Sequence, residues 1–412
     1  MNLLGVSGLP ASLTPVQKKN FLNVQIDGIA IGLASASSPF LPVFLARLGA
    51  TNFQVGLLTA MPGLTGLFLA IIVGRFLQTR RQVVPWYSAG RLMVVSCYAL
   101  TGLVPFIVPP EFQVLTILLV WAFATLPQTL VNVCFGVVMN AVAGPKHRYE
   151  LMSRRWSTLG FVQAITVALV GQVLDRLGFP FNYQIVFIGL SLGGLISFYY
   201  SSHIALPDAE PPAPVPGESA RERARNFIAL IRGQPVFVSF MLKRFVYASG
   251  ATLAAPLFPL YYVRQVQATD AWIGIISMAH VAIMLVGYLF WSHQSKMRGG
   301  RFVLLWTTLI LALYPVFTAL TQQVELIALY AGIAGIFQAG LDLVFFDELM
   351  KTFPAKYSAT FVSIAQSLQH LSTVAAPLIG TMLADQIGLG GALIVSGGLR
   401  FIGFALFALG KK

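Results

Sequence analysis

Charged side chains are scarce in this sequence. Asp, Glu, Lys and Arg together make up 10% of its 412 residues, whereas hydrophobic residues make up 57%. Soluble globular chains carry about 25% charged residues. Because the deficit extends along the whole chain, it excludes an ordinary soluble domain and predicts a surface that faces lipid.

Cysteines are few, and the common catalytic motifs are absent. The two cysteines, Cys97 and Cys134, both lie in apolar runs, which excludes a disulfide framework or a zinc-binding spacing. The sequence has no G-x-x-x-x-G-K-[ST] phosphate loop. It also has no His-Glu-His metal spacing and no nucleophile elbow in a suitable context. We therefore predict that the protein is not an enzyme, binds no cofactor or metal, and does not use ATP directly.

Long apolar runs dominate the sequence instead. A membrane-spanning helix needs about 20 mostly apolar residues, and we count twelve such runs. The first is read as an uncleaved span, because it continues past Asp27, beyond the length of a signal peptide. The predicted spans are 20–46, 53–77, 84–108, 112–143, 154–177, 181–204, 236–263, 271–292, 302–321, 325–350, 357–385 and 391–410.

The net charge of +13 indicates orientation, because the basic residues lie between the apolar runs. With the N-terminus in the cytoplasm, only Arg47, Arg176 and Arg264 fall in outside loops. We therefore expect a multi-pass protein of the inner (cytoplasmic) cell membrane with both termini cytoplasmic. The lipid bilayer is its expected surrounding, and we predict no nucleic-acid partner.

The two halves of the sequence echo each other. With an offset of 217 positions and no gap, three residues of span 1 match three of span 7: Pro39 and Pro256, Pro42 and Pro259, and Arg47 and Arg264. One inserted residue then aligns Gly56 with Gly274. Proline kinks a helix by removing a backbone hydrogen bond, and kinks at matching places in two halves indicate a central binding region. The general tolerance of membrane helices for proline is the alternative explanation.

A segment rich in proline and charge separates the halves. Residues 205–235 read `ALPDAEPPAPVPGESARERARNFIALIRGQP`. The proline-rich part does not pack a core, and the part that follows predicts a short amphipathic helix. We therefore expect an N-terminal six-helix bundle (1–204), a cytoplasmic linker (205–235) and a C-terminal six-helix bundle (236–412).

This organisation resembles the major facilitator superfamily (MFS). The resemblance rests on twelve spans in a six-plus-six repeat, the long linker after span 6, and basic loops after spans 2, 4, 8 and 10. It implies an all-α membrane protein with two pseudo-symmetric bundles. It also implies a central cavity lined by spans 1, 4, 7 and 10, and movement of solute by rocking one half against the other.

The motif of that family is degraded here. The loop after span 2 usually reads G-x-x-x-D-[RK]-x-G-[RK]-[RK], whereas this chain has `GRFLQTRRQ`. Gly74 is present, but Gln78 takes the acidic position and the second glycine is missing. The chain resembles bacterial members of the family, and this departure from the motif leaves its subfamily unidentified.

Ionisable residues inside the spans are the sharpest candidates for function, because each costs roughly 2.5–3.5 kcal/mol near the bilayer centre. The offset of 217 makes Asp27 and Arg244 equivalent in spans 1 and 7. We expect them to face each other across the halves, where an ion pair would hold the cytoplasmic side shut until Asp27 is protonated. A static pair or a helix cap at Asp27 is the alternative.

Further polar residues are candidates for a substrate or coupling cavity. They are Lys243, Asp342, Asn132, Gln163, His280 and His370. In spans 4 and 11, a glutamine lies four residues before a second polar residue, so each pair shares a helix face: Gln128 with Asn132, and Gln366 with His370. Lys243 is expected to reach toward the cytoplasmic interface.

For the remaining charged residues of the spans we expect structural roles. Arg91 and Arg400 lie on spans that the resemblance places at the periphery, where structural pairing or an extended side chain is expected. Asp347 and Glu348 lie near the cytoplasmic end of span 10 and are expected to pair with Lys351 or with the basic loops.

These observations favour a secondary transporter of a small organic solute. The lightly charged spans, which contain Phe and Met, suggest an amphiphilic or hydrophobic solute. We further predict proton-coupled export and a monomer. The alternative is a non-transporting membrane scaffold or assembly factor on the same fold. Loss of Asp27 or Arg244 should be tolerated by a scaffold and harmful to a transporter.

Overall fold

The computed structural model describes residues 14–78, 80–207, 231, 233–353 and 358–410. Every long element in those residues is an α-helix, which confirms the predicted all-α class. The helices are Pro15–Ala34, Phe40–Arg47, Asn52–Gln78, Val84–Ile107, Pro110–Arg176, Phe181–Ser202, Pro235–Ala254, Leu257–Arg264, Asp270–Arg298, Gly300–Ala319, Val324–Met350 and Ser358–Leu409.

Ten segments of the described chain are long and apolar enough to cross a membrane. One of them, Ile364–Leu409, is 46 residues long and turns at Gly388, whose φ of 79° suits glycine. The helix Asn52–Gln78 is not among the ten, although its 27 residues would reach across. With this helix and both arms of Ile364–Leu409, the path fits the twelve predicted spans, which we number in chain order.

The connection between spans 4 and 5 differs from the prediction. A break was expected at 144–153, but the backbone stays helical through one element of 67 residues, Pro110–Arg176. The sequence `ELMSRR` at 150–155 consists mostly of good helix formers. High helix propensity therefore keeps this connection helical, although its polar composition predicts a loop.

Spans 1 and 7 are each broken at the same place in the repeat. Span 1 consists of Pro15–Ala34, a 3₁₀ turn at Ser35–Ser37 and the segment Phe40–Arg47. Span 7 consists of Pro235–Ala254 and the segment Leu257–Arg264. Pro39 and Pro256 precede the two 8-residue segments. Pro42 and Pro259 lie in the first turns of those segments, where a helix tolerates proline because no intrahelical bond is lost there.

The largest apolar cluster joins the two halves at the ends of the spans remote from the chain termini. It includes Phe44 and Tyr183 of the N-terminal half together with Leu257 and Tyr261 of the C-terminal half. We call this side, which carries Arg47 and Arg264, the outer side, and the opposite side the inner side.

Toward the inner side, each apolar cluster of described residues lies within one half. One cluster, which includes Phe21, Cys134 and Leu151, lies within the N-terminal half. Two others lie within the C-terminal half, around Trp291 and around Phe361. The halves are therefore packed together on the outer side, while each has its own core on the inner side.

Most of the predicted linker, at 208–230 and 232, lies outside the described residues, together with most of its amphipathic helix. The boundaries of the two bundles therefore stay predictions.

Candidate functional site

An arginine of span 1 binds the C-terminal half on the outer side. Arg47 donates to the Asp270 carboxylate from Nη2 at 2.8 Å and from Nε at 3.1 Å. Its Nη2 also donates to the carbonyl oxygen of Ala268 at 3.2 Å. Tyr183 donates to the same oxygen of Asp270 at 2.7 Å. Asp270 is the first residue of span 8, so this contact fixes the ends of spans 1 and 6 against span 8.

The equivalent arginine of span 7 makes the reciprocal contact. Arg264 donates to the side-chain oxygen of Asn52 and to the carbonyl oxygen of Ala50. With the single insertion noted above, Asn52 and Ala50 are the repeat equivalents of Asp270 and Ala268. Asn52 then donates to the Asp385 carboxylate at 2.6 Å. The sequence predicts loop positions for both arginines and does not predict these contacts, although the match of the two arginines in the repeat is a signal for them.

Small residues bring the halves close together beneath these arginines. A Cβ atom at Gly171 of span 5 would lie 2.7 Å from the carbonyl oxygen of Asp270, and one at Gly274 of span 8 would lie 2.9 Å from that of Val167. Between spans 2 and 11, a Cβ atom at Gly56 would lie 2.6 Å from Oγ1 of Thr381. Larger side chains at these glycines would separate the backbones, so the glycines permit the close approach.

Below this contact zone, a cavity lies between spans 2, 4 and 11. Its volume is about 450 Å³. Spans 2 and 4 belong to the N-terminal half and span 11 to the C-terminal half, so the cavity lies between the two. The lining residues are Pro62, Thr65, Gly66, Thr125, Gln128, Thr129, Asn132, Val133, Gln366, Gln369 and His370.

Two predicted polar faces meet in this cavity. Gln128 donates to Asn132 at 3.0 Å on span 4, and Gln366 and His370 line the wall that span 11 provides. Gln369 and the threonines of spans 2 and 4 complete a lining of amide, hydroxyl and imidazole groups. These residues are not predicted from the sequence, because a lone threonine or glutamine carries no signal until the spans are placed side by side. None of the lining residues that the structure describes is Asp, Glu, Lys or Arg.

Asp27 lies elsewhere, inside the N-terminal half. It is fully buried, and its carboxylate binds Arg155 at 2.9 Å and Arg91 at 3.5 Å. Ser197 donates to its other oxygen at 2.5 Å. The expected pair of Asp27 and Arg244 across the halves is therefore contradicted.

The physical reason is that two nearer arginines already compensate the Asp27 carboxylate. Arg155, which the orientation analysis assigned to an inside loop, is 1% exposed. Arg91 makes the structural pairing that was expected of it. The cluster joins spans 1, 3, 5 and 6, so it holds one bundle together and does not bridge the two.

Arg244 and Asp342 lie in the C-terminal half. The Arg244 guanidinium lies 5.2 Å from the centre of the Phe345 ring. Asp342 is exposed and accepts hydrogen bonds from Tyr288 at 3.0 Å and from Gln338 at 2.8 Å. Among the described residues no ion pair or hydrogen bond joins Arg244 to Asp342.

Three of the remaining candidates do not line the cavity. Lys243 lies beside Gly410 at the inner end of span 12, which fits the expectation that it reaches toward the interface. His280 lies 3.1 Å from the carbonyl oxygen of Ala331 and so joins spans 8 and 10. Gln163 is half-buried in span 5 and is not a lining residue.

The charges expected to be structural have local partners. Lys351 binds Asp347 at 2.6 Å and Glu348 at 2.9 Å. These hydrogen bonds, first that of Asp347 and then that of Glu348, raise the pKa of Lys351 above its usual value. Arg400 donates to the carbonyl oxygen of Leu311 at 2.9 Å. Across the described part of the chain, no group of three or more His, Cys, Asp or Glu side chains is placed to hold a metal ion.

Comparisons with known proteins agree with this architecture. Residues 241–411 match a family model described as Major Facilitator Superfamily. No curated protein matches the sequence. A POT family transporter in complex with a thioalcohol-conjugated peptide has a TM-score of 0.73 and 12% identity, and the match covers 99% of this chain and 97% of that one. The nucleoside transporter NupG has a TM-score of 0.72 and 11% identity, with 95% and 100% covered.

A third structure is a bacterial homologue of the human lysosomal transporter Spinster, described as inward-facing and unoccupied. It has a TM-score of 0.67 and 12% identity, and the match covers 97% of each chain. At this level of identity, the three structures show a shared fold.

Proposed function

We propose that the chain is a secondary transporter of the major facilitator superfamily, whose model matches residues 241–411, and that it moves a small organic solute by alternating access. The observation that carries the proposal is the cavity between the halves. It lies beneath a closed outer side, and each half has its own core on the inner side. A solute would therefore enter the cavity from the inner side in this conformation, and rocking of the halves would expose it to the outer side.

The similar structures support this interpretation of the conformation. The Spinster homologue and a bacterial homologue of the iron transporter ferroportin are both described as inward-facing. With the termini in the cytoplasm, as the basic loops predict, loading from the inner side is consistent with export. Direction and orientation belong to the proposal.

The lining sets the kind of solute we propose. A volume of about 450 Å³ falls in the range of about 300–1,000 Å³ typical of small-molecule sites. The amide, hydroxyl and imidazole groups would bind a solute by hydrogen bonds, while Pro62 and Val133 offer apolar contact. A compact solute with both polar and apolar parts fits this surface.

Proton coupling is part of the proposal, and Asp342 is its candidate residue. Asp27 is sealed between two arginines, whereas Asp342 is exposed and bound only by neutral donors. A proton exchanging at Asp342 would change the charge of the C-terminal half.

Uptake into proteoliposomes tests the proposal. A panel of sugars, nucleosides, carboxylates, amines, amino acids and amphiphiles would be offered, and protein-dependent accumulation would be measured by mass spectrometry. We expect uptake of a restricted set. Asn132→Leu and Gln369→Leu should lower that uptake by about 5–100-fold, since each leaves a hydrogen-bonding group of a bound solute unsatisfied at a cost of about 1–3 kcal/mol. Gln163→Leu, outside the cavity, is the matched control and should transport like the parent.

Absence of uptake for every solute would contradict transport and favour a scaffold. Uptake that both cavity variants leave unchanged would contradict the assignment of the cavity.

A further inference from the structure

Two opposite charges in the C-terminal half lie near one aromatic ring, yet they are not paired. They are Arg244 of span 7 and Asp342 of span 10. Both lie near Phe345, since Arg244 packs on that ring and Asp342 precedes it by three residues, less than one helical turn. No described ion pair joins the two.

Each charge is held by a different partner. Gln338 and Tyr288 donate to separate oxygens of the Asp342 carboxylate and fix its orientation. The Phe345 ring holds the Arg244 guanidinium by a cation–π contact. These partners hold each charge in place without neutralising it, and so leave a positive and a negative group available.

Arg244 lies beside the proposed substrate cavity. Gln369 lines that cavity and also borders the small void in which Arg244 lies. The described lining residues of the cavity include no Asp, Glu, Lys or Arg, whereas a solute that extends from the cavity toward spans 7 and 10 would approach Arg244 and Asp342.

We propose that Arg244 and Asp342 form a bipolar subsite for a zwitterionic solute that carries an ammonium and a carboxylate group. The guanidinium presents its fork of N–H donors to the carboxylate of the solute. The Asp342 carboxylate has about four acceptor positions, of which two are used, and the others accept from the ammonium group. This inference rests on the proposed transport function and names its substrate class.

Thermal stabilisation of the purified protein tests the subsite. The probes are linear ω-amino carboxylates of two to six carbons, each with its N-acetyl, amide and doubly capped derivatives. The four forms share one carbon skeleton. The free form carries both charges, the N-acetyl form only the negative charge, the amide only the positive charge, and the doubly capped form neither. We expect at least one free amino carboxylate to stabilise the parent at a concentration at least about tenfold lower than any of its capped forms. A tenfold difference corresponds to about 1.4 kcal/mol.

The variants show which charge of the protein binds which group of the solute. Arg244→Gln should remove the preference for the carboxylate, so that the amide binds as well as the free form. Asp342→Asn should remove the preference for the ammonium group, so that the N-acetyl form binds as well. Arg244→Lys and Asp342→Glu keep each charge and should keep the preference. Lys243→Gln and Asp347→Asn are neighbouring charges outside the subsite, and they should bind like the parent.

A parent that binds the doubly capped form as well as the free form, or no probe at all, overturns the subsite. So do variants that keep the parental preference. If Arg244→Gln or Asp342→Asn fails to fold, Arg244→Lys and Asp342→Glu decide the test. Loss of the parental preference in these two variants overturns the subsite. Uptake of an uncharged solute without zwitterion binding would overturn this inference and leave transport standing, whereas zwitterion binding without any uptake would overturn transport alone.

Discussion

Arg47 and Asp270 tie the two halves together on the outer side through a 2.8 Å ion pair. Arg264 and Asn52 make the same contact with the halves exchanged. Each arginine also binds a backbone carbonyl two residues before its side-chain acceptor. The pseudo-symmetry of the sequence thus produces a pair of reciprocal contacts between the halves.

The two acceptors differ because their third partners differ. Asp270 also accepts from the Tyr183 hydroxyl, so a carboxylate serves both donors. Asn52 must accept from Arg264 and donate to the Asp385 carboxylate. An amide has both functions, whereas an ionised carboxylate only accepts.

Asp270→Asn should open the outer side. The amide keeps the shape but removes the charge that binds Arg47, and a hydrogen bond to a charged group contributes about 1.5–3 kcal/mol. We expect the closed population to fall by about 10–100-fold relative to the open one. Spin labels at Arg176→Cys and Gln322→Cys, in a background with Cys97 and Cys134 replaced by Ala, would report the distance between the halves. Glu111→Gln, at the exposed outer end of span 4, is the control that should leave the distance unchanged.

Asn52→Asp should also open the outer side, because it places a carboxylate directly against Asp385 and removes the donor between them. The double variant Asn52→Asp/Asp385→Asn restores a donor and an acceptor at exchanged positions. We expect it to recover the parental distance between the same labels. A single variant that stays closed, or a double variant that stays open, would argue against this account of the contact.

Gly274→Val should prevent closure by forcing spans 5 and 8 apart. Its Cβ atom would lie 2.9 Å from the carbonyl oxygen of Val167, which belongs to a rigid helix backbone. Gly189→Val is the matched control, since a Cβ atom there meets nothing within 4 Å. We expect the labels on the outer side to move apart in the first variant only, and equal distances in the two would refute the steric explanation.

Asp27→Asn should lower the stability of the N-terminal half strongly. It leaves Arg91 and Arg155 buried without their shared carboxylate, and breaking a buried pair costs about 3–5 kcal/mol. The thermal midpoint of unfolding should fall clearly below that of Asp347→Asn, an exposed pair worth less than about 1 kcal/mol. Equal midpoints would show that the buried cluster is not structural.

The sequence predicted the architecture and the local pairing of Lys351 with Asp347 and Glu348, but not the partners of Asp27. Apolar run length, loop charge and the proline repeat predicted the helical class and the breaks in spans 1 and 7, because these features are local or periodic. The partner of Asp27 depends on how spans pack side by side, and Arg155 was hidden in a basic segment. The polar faces at Gln128 and Asn132 followed from helical spacing, but their meeting with span 11 required the tertiary structure.

The central claim is that the halves must separate on the outer side during transport, and a reversible cross-link tests it most directly. Gly56→Cys/Thr381→Cys, in the background without Cys97 and Cys134, would join spans 2 and 11 where they touch. Gly90→Cys/Val131→Cys joins two spans within the N-terminal half and is the control. We expect oxidation to abolish protein-dependent solute uptake in the first pair alone, and reduction to restore it. Full uptake by the fully cross-linked first pair would contradict alternating access in this protein.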